Sequence, residues 1–234
     1  MASAPEEYQQ DMVQCFKPDP GCPDIPIRGR YEFTRRWFKN RNQKTWSKYF
    51  IPRFKDPIRI LQIGVFEGAD LIWCIENLTV EKAVAIDPWA ATRKLPEDHM
   101  EGVRLRAARN LNKACSKYGT RLTIHHGFSQ HILPDLSDGE DFDLAVIDGD
   151  HMADAVYSDA QWVLPLMKIG GWMVFDDVRQ RRWKPGQVYD GLQYFLEDYR
   201  YSNPSMPQVE PIWKHRFSDC LRVVDPVTEW PQED

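Results

Sequence analysis

The chain has 234 residues, 42% of them hydrophobic and 28% charged, and a formal net charge of −5. That length suits one α/β domain with additions, or at most two small domains, and is enough to bury a sizeable core. The acidic balance gives no global basic field for nucleic acid, no apolar run reaches the ~20 residues of a membrane helix, and the polar start MASAPEEYQQD lacks the build of a signal peptide.

In chain order, residues 1–29 carry PDPGCPDIP and little periodicity, so an extended or disordered arm is expected. Residues 30–55 are aromatic and basic. Phe33, Trp37, Phe38, Trp46, Tyr49 and Phe50 are spaced for one or two amphipathic helices, read as a helix on the domain edge or a lid over a ligand. From 56 to 234 a single domain is expected, and strands alternate with helices. PIRILQI (57–63) is a strand ending at Gly64, 68–78 a helix, AVAID (83–87) a buried strand, 95–118 a long helix and RLTIH (121–125) a strand. A strand over 142–147, a helix over 152–168 and a strand over 171–175 follow, then a helix over 188–200. VEPIWKH (209–215) and SDCLRVV (218–224) are joined so closely that only an antiparallel hairpin fits.

This alternation implies a doubly wound, Rossmann-like α/β fold. Its sheet is mainly parallel, with seven strands, helices on both faces and a C-terminal antiparallel hairpin. Ligands of such sheets sit outside the carboxyl ends of the strands, where strand order reverses. Asp87, Asp148, Asp176 and Asp177 all fall at such ends. The five cysteines are scattered, odd in number and without a C-x-x-C pair. They read as structural thiols of a reducing compartment, which makes a cytoplasmic location the expectation.

The loop LQIGVFEGAD has G-x-x-x-G with a glutamate inside, not the G-x-G-x-x-G of a dinucleotide site. A carboxylate aimed at a diphosphate would repel it, but it suits a ligand with an ammonium or sulfonium group, as in S-adenosylmethionine. Asp87 could accept hydrogen bonds from ribose hydroxyls, which fits NAD equally well. The turn in HHGFSQHILPDL puts Ser129 and Gln130 where an adenine edge should lie.

The pieces IGVFEGA, AVAIDPW, HGFSQHILPDL, FDLAVIDGDH and GGWMVFDDV, in that order, resemble class I S-adenosylmethionine-dependent methyltransferases. The likeness is to the group around catechol O-methyltransferase and the metal-dependent small-molecule O-methyltransferases, and it covers roughly residues 45–225. The resemblance assigns Gly64, Glu67 and Gly68 to the methionine and ribose part of the cofactor, and Asp87 to the ribose. It gives Ser129 and Gln130 to the adenine, with Trp89 stacking beside the adenosine.

Adjacent parallel strands lie about 4.8 Å apart, so Asp148, Asp176 and Asp177 can reach one point. Carboxylates that close repel one another, and a divalent ion, Mg²⁺ for an all-oxygen set, removes the cost. The matching family positions bind such an ion. Asp148 is thus expected to serve metal, cofactor and catalysis together. His151, three residues on, has the ordinary pKa of about 6.5 that suits a general base. The matching family position holds a basic residue that takes the acceptor's proton. A small-molecule hydroxyl acceptor is implied, and the basic run VRQRRWKPGQ points to an anionic or sugar-like one. No nucleic-acid or membrane partner is expected, and homo-oligomerisation stays open. The competing readings are a nicotinamide-dependent oxidoreductase on a similar sheet, a fold that binds S-adenosylmethionine without turnover, and a methyltransferase acting on RNA or protein.

Overall fold

Pro57 and Gly64 bracket an almost continuous apolar run, and Ile58–Ile63 forms β1 at the centre of the sheet. The computed structural model describes residues 30–34, 38, 40–92, 95–136, 141–178, 187–202, 207–214 and 218–225. The arm expected over 1–29 and the basic run Arg179–Lys184 lie outside the described residues.

The N-terminal helix α1 is Asn40–Arg53, and the others are α2 (Ala69–Asn77), β2 (Val80–Asp87), α3 (Glu97–Tyr118) and β3 (Arg121–His126). A single turn α4 (Ser129–Ile132), β4 (Phe142–Ile147), α5 (Ala153–Val163), β5 (Met167–Phe175) and α6 (Gln187–Ser202) follow, then β6 (Gln208–Lys214) and β7 (Asp219–Val224). The seven strands are ordered β3-β2-β1-β4-β5-β7-β6. Strands β1 to β5 pair in parallel, whereas β7 runs antiparallel to both β5 and β6. The order reverses between β1 and β4, which makes the rim above that pair the place for a ligand.

Alternate strand residues feed two apolar layers, as the two-residue period of a strand requires. Ile60, Ala85, Leu144, Val146 and Val174 face α1, α2 and α3. Leu61, Ile63, Ile86, Ile147 and Phe175 face α5 and α6. α3 carries Glu97 and Asp98 in its first turn and Lys117 in its last, which complements the helix dipole, and it stops at Gly119 in a left-handed conformation.

The aromatic stripe of α1 is core. Trp46 and Phe50, 4.9 Å apart, are buried against Trp73, Trp172 and Trp213 with ring centroids at 5.8–6.2 Å. Burying each such ring contributes about 2–3 kcal/mol. Upstream, residues 30–34 are strapped along α2 and α3. Tyr31 donates to Glu76, Asn110 bonds both the N–H and the carbonyl of Glu32, and Lys113 reaches the Arg30 carbonyl.

The boundary between α5 and β5 differs from expectation. The helix expected over 152–168 ends at Val163, passes through a 3₁₀ turn at Leu164–Leu166, and gives way to β5 from Met167. Pro165 has no N–H and its ring would clash with the Gln161 carbonyl, so the α-helix cannot continue. Met167 is buried as expected, but from a strand.

Candidate active site

The loop after β1 turns on two left-handed glycines, Gly64 (φ 76°) and Gly68 (φ 82°). At Gly64 the need is steric as well, because a Cβ there would lie 1.9 Å from the Asp148 carbonyl oxygen. Loop and β4 end are therefore in backbone contact at the point where strand order reverses. Asp87, buried at the end of β2, ties this loop down. Its Oδ2 accepts from the N–H groups of Val65 and Phe66 (both 2.8 Å), and its Oδ1 accepts from that of Trp89 (2.6 Å). Burial raises its pKa against the opposing pull of those three bonds. Trp89 is buried too, and its indole N–H donates to the Phe66 carbonyl.

Glu67 is buried and bonded within the protein. Its carboxylate accepts from Thr34 N and Oγ1 (both 2.8 Å) and from Arg106 Nε (2.6 Å), at 2% exposure. It ties the N-terminal strap and α3 to the back of the loop, so Gly64 and Gly68 are left to shape the ligand side. A glutamate within G-x-x-x-G gave no sequence signal for this, because its partners lie 33 and 39 residues away.

Beyond β3, Ser129 opens α4 and donates from Oγ to Asp159 Oδ1 at 2.6 Å. Burial raises the Asp159 pKa to about 6; the Ser129 bond opposes that and the Asp150 charge adds to it. Gln130 is exposed. These residues and Trp89 line up along the rim past β2 and β3, the stretch expected to take an adenosine.

The strand ladders extend to the rim itself. Asp148 N donates to the Ile63 carbonyl and Asp176 N to the Ile147 carbonyl, so the two acids end neighbouring strands side by side. Asp177 follows in a left-handed conformation (φ 56°). One ligating atom each from Asp148, His151 and Asp177 lies within 4.8 Å of the others. His151 Nε2 is 3.5 Å from Asp148 Oδ1 and 3.9 Å from Asp177 Oδ2. Burial pulls the imidazole pKa down, but the Asp148 hydrogen bond and the charges of Asp148, Asp177 and Asp150 outweigh it, and the net shift is upward. Asp176 stands outside that trio of atoms. Its pKa is held well above the carboxylate range by burial first, then by Asp148 and Asp177.

The donor chemistry fits a divalent cation. Two carboxylates and an imidazole converge, with a third carboxyl next to them whose ionisation those neighbours oppose, and a cation would relieve that repulsion. An imidazole in the set widens the choice from Mg²⁺ towards Mn²⁺ and the later metals. The structure adds two further polar residues beside the loop, Gln62 and Asp70. Gln62 had a visible signal, a lone amide in the strand IRILQI.

A methyltransferase-domain family model matches residues 61–178, just over half of the chain and all of the rim elements from β1 to Asp177. An uncharacterized protein of Acanthamoeba polyphaga mimivirus is 28% identical over 170 residues, 68% of each chain. Three solved structures share the fold. CalS11, a calicheamicin methyltransferase, superposes with a TM-score of 0.60 at 13% identity, over 95% of this chain and 94% of its own. The Bacillus cereus O-methyltransferase in complex with SAH gives 0.53 at 18% identity, over 94% and 90%. The SAH-bound Podospora anserina methyltransferase gives 0.53 at 17%, over 96% and 98%. The nicotinamide oxidoreductase reading falls with the family match. This chain belongs to the methyltransferase-domain family, and it is a class I S-adenosylmethionine-dependent methyltransferase.

Proposed function

We propose that the chain transfers the sulfonium methyl group of S-adenosylmethionine to a hydroxyl oxygen of a small molecule, aided by Mg²⁺ or another divalent cation. The observation that carries this reading is the convergence of Asp148, His151 and Asp177 on the rim beside the Gly64 loop. Asp148 and Asp177 would hold the cation, with Asp176 adding negative charge beside them. A cation there supplies positive charge that makes an acceptor hydroxyl more acidic.

His151 Nε2 takes the acceptor proton, and Asp148, 3.5 Å away, orients the ring and stabilises the imidazolium. The acceptor oxygen then attacks the methyl carbon in line. The remaining contribution is positioning. The Asp87 network fixes the loop that the cofactor lies on, Ser129 and Gln130 border its adenine and Trp89 flanks the adenosine. The strap and α1 serve as a fixed wall of the pocket, since the aromatic face of α1 is committed to the core. An anionic or sugar-like acceptor follows from the basic run after Val178.

The test is transfer of a radiolabelled methyl group to a panel of catechols, glycosides and other hydroxylated acceptors. The reading expects turnover that EDTA abolishes and a divalent cation restores. Transfer undiminished in EDTA would remove the cation, and transfer only to nitrogen acceptors would remove the hydroxyl.

A further inference from the structure

α5 and α6 pack side by side over one face of the sheet. Their inner stripes, Val156, Ala160 and Val163 on α5 and Val188, Leu192 and Phe195 on α6, are buried in the core. The core does not use their outer stripes, yet these are aromatic as well as acidic. Between them runs a groove of about 1060 Å³, open to solvent along its length. It is lined by Met152, Tyr157 and Tyr194 together with Asp154, Glu197 and Asp198. Met152 is 48% exposed and Tyr194 55%. The floor is fixed, because a Cβ on Gly191 would lie 2.4 Å from the Ala153 carbonyl oxygen, so the two helices meet backbone to backbone. One wall is pre-set as well. The Tyr157 hydroxyl donates to Asp198 Oδ2 (2.5 Å) and accepts from the Gln161 amide (2.6 Å). From Gln187 to Asp198 the groove is about 16 Å long, at 1.5 Å per residue. None of the described side chains of α5 and α6 is a lysine or arginine, so this surface carries one sign of charge.

We propose that this groove is a docking site for a basic, amphipathic segment of a partner protein, in which lysines or arginines flank an apolar anchor. Shape argues for a segment over a small molecule. Pockets for small ligands are concave and bury most of their occupant, whereas an open groove between two helices takes a helix that keeps its other face in water. Charge argues for a basic segment. The tyrosine rings and the Met152 thioether offer apolar contact, and tyrosine is a frequent anchor of interfaces. Tyrosine ring faces attract lysine and arginine, and Asp154, Glu197 and Asp198 stand in the same groove to pair with those cations. An acidic segment would be repelled. The groove does not depend on the cofactor or cation positions. Met152 nevertheless follows His151 directly, so a docked segment borders the acceptor side of the rim.

Fluorescence anisotropy of a labelled leucine–lysine amphipathic peptide of about 14 residues, roughly 21 Å as a helix, tests this at about 0.15 M salt. The wild type is expected to bind it in the micromolar range and not to bind the same peptide with glutamate in place of lysine. Tyr194→Ala and Glu197→Lys, both at exposed positions, should each weaken binding about tenfold or more. Glu101→Lys, exposed on α3 in the opposite layer, should stay within about threefold of wild type. Wild-type binding undetectable at about 1 mM peptide would overturn the docking site. Equal losses for Glu101→Lys and Glu197→Lys would also overturn it, because general acidity would then explain the attraction. Displacement of the peptide by equimolar spermine would make the occupant a small amine. A wild-type dimer in sedimentation that Glu197→Lys dissolves would make it a second copy. Either result contradicts a partner segment.

Discussion

At the scale of single residues, charge is concentrated at the rim and the shifts share a direction. Asp70 and Asp159 are raised from 3.8 to about 7 and about 6, and His151 is raised from 6.5. For the two acids the folded state binds more protons than the unfolded chain between their two pKa values, so stability falls as pH climbs from about 4 to about 7. For His151 the stabilisation is present below 6.5 and disappears as pH passes its higher folded value. The ligand-free, chelator-treated protein is therefore expected to melt at lower temperature at pH 8 than at pH 5. Asp70→Asn should flatten that slope and stabilise the protein at pH 8 by about 2 kcal/mol. A melting temperature that rises across this window would contradict the assignment. On the proposed mechanism His151 also serves as the base. His151→Ala is expected to lower kcat about 10²–10⁴-fold while cofactor affinity holds, because a positioned base contributes that much. A kcat within threefold of wild type would reduce His151 to a ligand or a structural residue.

Elements explain which of these features a sequence could disclose. The strand ends were legible because apolar runs that collapse into acids, as in DLAVIDGDH and GGWMVFDDV, announce both a strand and its exit. The 152–168 helix was overextended because Val163, Leu164 and Met167 continue a helical stripe past Pro165, where backbone chemistry overrides the pattern. The partners of Glu67 are hidden from the sequence for a different reason. Its type and spacing were visible, but Thr34 and Arg106 come from other elements, and only the packed fold brings them to it. α1 shows how context settles an ambiguous helix. An amphipathic aromatic stripe suits either lid or core, and Trp46 and Phe50 are core. Trp46→Ala should accordingly destabilise the protein by about 3–5 kcal/mol in urea melts. A loss below about 1 kcal/mol would mean that α1 is only loosely docked.

For the whole molecule, the strand order converts distant segments into one site. β1 and β4 are neighbours although 84 residues separate Ile63 from its partner Ile147, and β2 lies on the other side of β1. The loop glycines, Asp87 and the acids after β4 and β5 consequently share one edge, an outcome that the alternation of strands and helices made legible in advance. The exact partners of each acid were not, because they depend on loop conformations such as the left-handed Trp89 and Asp177. On the proposed function this edge holds a methyl donor and a cation side by side. An anomalous difference map from a crystal grown with S-adenosylhomocysteine and Mn²⁺ tests it most directly. The account predicts the nucleoside along the Gly64–Asp87–Ser129 side and a manganese peak within coordination distance of Asp148 and Asp177. A manganese peak elsewhere, or a nucleoside bound away from the Gly64 loop, would contradict it.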